Sequence, residues 1–204
     1  TLATMSIYFG MMTLFTEAEA FRKLPETFTD FGSLKLFNKY VSPLLLVSIF
    51  FVFLLFYLFK FTDLGRKLIA AGANPDAAEL SGISVGQMFI YCHILSGLLA
   101  AVAALMLTSR IGAAIPSMAG NLGFDWLLPA FLAPVLGGTL LSGGKVTVFG
   151  TMLGAILVTL ITNGLYLIEV GEFWIRFFLG IILLLAVLLD KAREFFAQKS
   201  NVLS

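Results

Sequence analysis

The sequence carries little charge and a single cysteine. Only 12% of its 204 residues are Asp, Glu, Lys or Arg, against roughly 25% in an ordinary soluble domain. The formal net charge is +1 at pH 7, so no basic excess points to a nucleic-acid partner. With Cys92 alone, an intramolecular disulfide and a cysteine-cluster metal site are excluded. These absences exclude an ordinary soluble domain and disfavour a nucleic-acid-binding protein.

Motifs for catalysis and for ion coupling are also missing. Gly143–Lys145 looks like part of a phosphate loop, but Thr139 and Val146 break the required GxxxxGK[ST] spacing. The sequence contains no GxSxG, HExxH or paired Cys and His motif. His93 lies within an apolar stretch, where a packing role is the alternative to a proton relay. We therefore expect no enzyme activity, cofactor or metal in this chain, and any energy must come from a partner.

Apolar residues dominate what is present. They make up 59% of the chain, and the mean hydropathy is +0.99. At about 20 residues per membrane-spanning helix, this composition allows about six spans. Stretches with no or almost no ionisable side chains mark them best. They are the opening run to Thr16 and the ranges 40–59, 81–109 (with only His93 inside), 126–144, 146–168 and 173–189 (with Arg176 near one end). The sequence predicts an all-α, polytopic transmembrane bundle, with 126–144 short, kinked or partly re-entrant because Pro129 and Pro134 interrupt it.

Two long polar connections separate the predicted spans, at 16–42 and 61–84. If spans alternate, the second connection, the Lys145 turn and the tail from Asp190 lie on one side of the membrane. That side carries one more Lys or Arg than the other, so the positive-inside rule makes 61–84 cytoplasmic and 16–42 external. The opening apolar run has no preceding basic residues, so it does not resemble a secretory signal. We expect 1–204 to be the C-terminal part of a longer transmembrane protein.

The 61–84 connection has an unusual composition for a tether. Asp63 can cap a helix, the residues from Arg66 to Ala71 favour helix, Gly72 can stop it, and Pro75 suits a second helical start. Small alanine side chains on one face would let such a helix sit deep in a groove on another protein. The alternative is an amphipathic helix in the lipid headgroup region, although alanine gives it little membrane affinity.

Several short motifs resemble a known family. The matching residues are Gly65-Arg66, Ala70-x-Gly72-x-Asn74-Pro75, Ala77-Ala78, Ser81-Gly82-Ile83 and Leu136-Gly137-Gly138-Thr139-x-x-Ser142-Gly143-Gly144-Lys145. They resemble the permease subunits of bacterial ABC importers for monosaccharides of the ribose and xylose type, in which the first four motifs lie in a cytoplasmic coupling loop. Relatives in this family usually carry further helices before the segment that begins at Thr1, and many have an acidic pair where this chain has Asp125 alone.

The resemblance implies a permease in the bacterial inner membrane. Its partners would be ATP-binding subunits, a second permease subunit (identical or different) and a periplasmic or lipid-anchored sugar-binding protein. The residues implied in coupling to the ATPase are Gly65, Arg66, Ala70, Gly72, Asn74, Ala77, Ala78, Gly82 and Ile83.

The sugar pathway is less well specified. Sugar hydroxyls need hydrogen-bonding partners, and the candidates are Asn121, Asp125, Trp126, Thr159, Thr162 and Asn163. The alternative for the threonines is a bond to their own helix backbone, and for Asn163 a bond between helices. Alternative functions are a nucleoside or branched-chain amino acid permease, or a structural or respiratory membrane subunit with no pathway.

Overall fold

Most of the residues that the structure describes lie in helices. The computed structural model describes residues 2–33 and 41–202, with the side chains of 3–32, 41–116, 125–188 and 191. The helices in these residues are α1 (Leu2–Thr16), α2 (Glu26–Ser33), α3 (Pro43–Phe61), α4 (Asp63–Ala73), α5 (Pro75–Leu80), α6 (Val85–Ile111), α7 (Pro116–Leu136), α8 (Val148–Leu167) and α9 (Glu172–Val202). The predicted all-α helical class is confirmed.

Three of the described helices, α3, α6 and α8, are long and apolar enough to cross a membrane. Two shorter apolar helices cover Ala3–Thr16 and Asp125–Leu136. These helices are consistent with the predicted polytopic helical bundle. The predicted span 126–144 differs most. Its helix begins earlier, at Pro116, and ends at Leu136, because Gly138 then adopts a φ of +78° and turns the chain.

The chain divides into two compact units. The first comprises Thr1–Leu54 and Gly86–Asp125. Within it, Phe21 and Ala114 form an isolated antiparallel bridge with N···O distances of 2.8 and 3.0 Å. The buried Ser109 hydroxyl donates to the Phe28 carbonyl at 2.6 Å. The connection after α1 and the start of α2 therefore lie against the C-terminal end of α6.

The second unit comprises Leu55–Val85 and Trp126–Ser204. Its core brings apolar residues of α7, α8 and α9 together, namely Leu132, Ala133, Val158, Ile175 and Leu179. Leu132 is fully buried, so large side chains fill the centre of this contact.

Small residues bring α7 and α8 close together. A Cβ built at Gly150 would overlap the Gly137 carbonyl, and one at Gly154 would overlap the Ala133 carbonyl. The GxxxG pair of α8 therefore packs against α7 within one chain, with the two backbones in contact.

Candidate functional site

The candidate site is the coupling segment, which we define as residues 62–83, between α3 and α6. It begins with a sharp corner. The Thr62 hydroxyl donates to the Leu58 carbonyl of α3 at 2.6 Å and accepts from the Gly65 N–H of α4 at 3.2 Å. A Cβ on Gly65 would overlap the Leu58 carbonyl. The Thr62 hydroxyl thus holds α4 against the end of α3, and the glycine at position 65 leaves room for this close contact.

Thr62, rather than the predicted Asp63, is the N-cap of α4. Both residue types suit the position, but Thr62 also bonds the preceding helix. Asp63 instead lies in the first helical turn, where its carboxylate is 2.7 Å from the Lys67 ammonium and 3.8 Å from the Arg66 guanidinium. The hydrogen bond from Lys67 and its charge, with a smaller contribution from Arg66, lower the pKa of Asp63 below its ordinary value. The negative charge also suits this end of the helix.

Asn74 caps two helices at once. Its backbone N–H donates to the Ala70 carbonyl at 3.2 Å, which ends α4. Its side-chain oxygen accepts from the Ala77 N–H at 3.1 Å, which starts α5 with Pro75 in the first position. The two helices are therefore joined by a single extended residue, and the predicted start at Pro75 agrees with the structure.

Gly72 does not stop α4, contrary to the prediction. The helix continues through it to Ala73. A Cβ on Gly72 would lie 3.5 Å from the Gly144 backbone nitrogen. This distance is an ordinary van der Waals contact, so the close approach of the neighbouring segment depends on Gly143, whose Cβ would overlap the Gly72 carbonyl.

The segment ends on a two-bond glycine cap. Gly82 has a φ of +80°, and its N–H donates to the Glu79 carbonyl at 2.9 Å. The next N–H, of Ile83, donates to the Ala78 carbonyl at 2.9 Å. This pair of bonds is the Schellman motif. The sequence motif Ser81-Gly82-Ile83 therefore has a glycine where the motif requires a positive φ.

Burial separates the apolar side chains of the segment into two groups. Ala78 is 4% exposed and Ala71 is 7% exposed, so both are covered by this chain rather than offered to a partner. Leu80, in contrast, is 91% exposed, and the exposed Ala77 lies three residues earlier on the same side of α5. Sequence reasoning missed Leu80, because a six-residue helix is too short to show which residues face inward.

The two remaining coupling candidates, Arg66 and Ala70, lie in α4. The Arg66 side chain is exposed, and that of Ala70 is half-buried. The short segment thus brings all nine predicted coupling residues together. Their role in coupling stays a prediction.

The pathway candidates Asn121 and Asp125 belong to the first compact unit, and the other four belong to the second. Thr159 and Thr162 donate to the Ala155 and Val158 carbonyls of their own helix, each at 2.8 Å. Both threonines therefore make the bond to their own helix backbone that is the alternative to contacting a sugar. The side chain of Asn121 lies outside the described residues. The other three candidates, Asp125, Trp126 and Asn163, are exposed. Thr159 and Asn163, four residues apart, share a face of α8.

His93 is hydrogen-bonded to the backbone of its own helix. Its Nδ1 lies 2.8 Å from the Phe89 carbonyl oxygen. A carbonyl can only accept, so Nδ1 carries the proton in this arrangement. This bond fits the hydrogen-bonded alternative to a proton relay, and the ring itself is exposed.

Comparison with known proteins places these helices in a family. The profile of the family described as branched-chain amino acid transport system / permease component matches residues 1–187. The chain belongs to this family. With its apolar helices, it is a multi-pass membrane protein. No solved structure matches it significantly.

Curated relatives of this permease chain carry the names of sugar importers. The ribose import permease protein of Bacillus subtilis (strain 168) is 36% identical over 198 residues, covering 95% of this chain and 59% of the relative. The galactose/methyl galactoside import permease protein of Escherichia coli (strain K12) is 34% identical over 203 residues, covering 95% and 58%. The xylose transport system permease protein of that strain is 39% identical over 166 residues, covering 80% and 41%. The chain thus spans 59% or less of the length of these relatives.

Proposed function

We propose that this chain belongs to the transmembrane permease subunit of an ATP-driven importer that moves a monosaccharide across the bacterial inner membrane. The observation that carries the proposal is the similarity, over up to 95% of the chain, to permeases named for ribose, galactose and xylose. ATP hydrolysis would take place in a separate subunit. A binding protein would deliver the sugar, and a second permease subunit would complete the pathway.

The coupling segment would receive the force from the ATPase on the cytoplasmic side. Its docking face would be the exposed Ala77 and Leu80, with Arg66 at the other end of the segment. A leucine that is 91% exposed in a capped, non-spanning helix is suited to a pocket on another protein. The buried Ala78 would instead keep the helix seated on its own chain. A bulky residue at Ala78 would therefore disturb the segment itself, whereas a change at Leu80 tests the docking face directly.

The test replaces Leu80 with serine in the full-length permease. Burying a leucine at an interface contributes about 2 kcal/mol, so its loss should weaken ATPase binding roughly thirtyfold. The measurement is ATPase affinity for the permease in nanodiscs, together with sugar uptake by proteoliposomes that contain the ATPase and the binding protein. Leu167, 84% exposed at the end of α8, offers a matched control as Leu167→Ser. Unchanged ATPase affinity in Leu80→Ser would refute the docking face.

A branched-chain amino acid is the second candidate substrate. The description of the family favours it, while the names of the relatives favour sugars. Uptake of radiolabelled ribose, xylose, galactose and leucine, each with the cognate binding protein, separates the two. Uptake of leucine without uptake of any sugar would decide for the second candidate.

A further inference from the structure

A turn at residues 139–147, between α7 and α8, lies against the C-terminal end of α4. We call it the receiving turn. A Cβ on Gly143 would overlap the Gly72 carbonyl, and one on Gly144 would lie 3.0 Å from the Ala73 Cβ. Gly143 and Gly144 have φ values of +92° and +83°. At this place the two segments meet through backbone atoms and the Ala73 methyl group, and no longer side chain is involved.

Hydroxyl groups cross-link the receiving turn. The Thr139 hydroxyl lies 3.1 Å from the hydroxyls of both Thr147 and Thr151, and it accepts from the Thr147 N–H at 3.1 Å. The Thr147 hydroxyl donates to the Gly137 carbonyl at 2.6 Å. These bonds tie both ends of the turn to the end of α7 and the start of α8. The turn therefore has little freedom to deform independently of the two helices.

The two helices that the turn connects, α7 and α8, are also in backbone contact with each other. Gly137 meets Gly150, and Ala133 meets Gly154. Close-packed backbones resist compression, and rigid packed elements transmit displacement. A push on the turn is thus a push on the paired ends of α7 and α8.

We propose that the receiving turn transmits movement of the coupling segment into α7 and α8, with Gly143 and Gly144 as the positioning residues at the contact. The inference rests on the proposed transport function. A contact made by backbone atoms and a methyl group cannot rotate away, as a contact between long side chains can. The contact is therefore expected to stay closed while the segment moves, so that α4, the turn and the ends of α7 and α8 shift as one body.

The first test is Gly143→Ala in the full-length permease, reconstituted with its ATPase and binding protein. The readout is sugar imported per ATP hydrolysed, which a loss of folding alone does not change. Gly138→Ala is the matched control, since Gly138 has a φ of +78° but nothing within 4 Å of a Cβ. We expect the ratio to fall about tenfold in Gly143→Ala, within the range of coupling between sites, and to stay within about twofold in the control. Equal effects in the two variants would assign the loss to backbone strain and overturn the proposal.

The second test joins the contact covalently. Ala73→Cys and Gly144→Cys, in a Cys92→Ser background, bring two Cβ atoms to 3.0 Å, and a shift of roughly half an ångström reaches disulfide geometry. We expect oxidation to block labelling of both thiols by a maleimide polymer and to leave sugar import no lower than in the same variant with its thiols reduced. The pair Ala73→Cys and Gly138→Cys should not cross-link.

The outcomes separate the two proposals. Failure of the first pair to cross-link means that the contact does not exist. A cross-link that stops import while ATP is still hydrolysed means that the contact must open, and either result overturns the inference. If the cross-link forms but the unmodified complex imports no sugar, the proposed transport function fails, and the contact remains as a structural feature without a role in transport.

Discussion

Replacing Asn74 with alanine removes one hydrogen bond and leaves another in place. The lost bond is the one from the Ala77 N–H to the Asn74 side-chain oxygen, at 3.1 Å, which starts α5. The backbone bond from Asn74 to the Ala70 carbonyl, which ends α4, does not depend on the side chain. The substitution therefore weakens α5 selectively.

The magnitude follows from the size of the helix. Loss of an N-cap costs about 1 kcal/mol, and α5 has only 6 residues, far fewer than the roughly 12 to 15 at which an isolated helix becomes marginally stable. Its caps and the burial of Ala78 are what hold it. A loss of about 1 kcal/mol raises the open population roughly fivefold, and the exchange of the N–H groups at 77–80 should rise by about the same factor.

Hydrogen exchange of the full-length permease in nanodiscs measures this effect. Asn74→Asp keeps an acceptor oxygen and adds a negative charge at the helix N-terminus, so protection of α5 should be retained. Peptides from α8 should be unchanged in both variants. Unaltered exchange at 77–80 in Asn74→Ala, or an equal loss of protection in Asn74→Asp, would refute the capping argument.

Three further predictions concern polar groups. Thr62→Val should destabilise the first turn of α4 by about 1 kcal/mol, whereas Thr62→Ser should not, as measured by exchange of that turn. The ion pair with Lys67 lowers the pKa of the Asp63 carboxyl from its ordinary 3.8. The pair therefore stabilises α4 above pH 3.8, and this stabilisation is lost as the pH falls through the lowered pKa. Protection of α4 from hydrogen exchange, corrected for intrinsic exchange rates, should be constant from about pH 6 to 8 and should fall only in acid. His93→Gln should retain sugar uptake, since the ring is bonded to its own helix backbone; loss of uptake would instead indicate a proton relay.

Absence of charge was enough to locate two of the helices that are long and apolar enough to cross a membrane. Uncharged stretches at 40–59 and 146–168 correspond to α3 and α8, whose bounds are Pro43–Phe61 and Val148–Leu167. Membrane-spanning residues are constrained by the cost of burying charge in lipid, which acts on each residue by itself. For that reason it can be read directly from the order of residues. The start of α5 was equally readable, because Pro75 cannot lie deeper in a helix without cost.

Glycine gave less certain predictions, because it serves two opposite purposes. The same residue type ends helices by adopting positive φ and permits close contact inside helices. Gly82 does the first and Gly65 does the second. The partner of Gly65 is the Leu58 carbonyl of the preceding helix, and no periodic pattern in the sequence marks that contact. Only the fold could distinguish the two uses.

Side-chain burial in α5 was also beyond the sequence. Ala77 and Ala78 are adjacent and identical, yet the structure exposes the first and buries the second. A helix of less than two turns has too few residues for a periodic apolar stripe. The interpretation that the alanines form a docking face was thus incomplete, and Leu80 is the better candidate.

The attachments of the coupling segment share one physical property. Thr62 bonds to both neighbouring helices, Asn74 joins two helices through one residue, and Gly82 closes the last turn with two backbone bonds. Each uses backbone groups or side chains with few rotatable bonds, so little of a displacement at Leu80 can be absorbed by rotamer changes. A protein that receives its energy from a partner needs this stiffness, because a flexible link lets one site change without biasing the other. Under the proposed function, the small residues of this segment are therefore best explained by mechanical requirements, and the selection of the sugar is left to residues elsewhere.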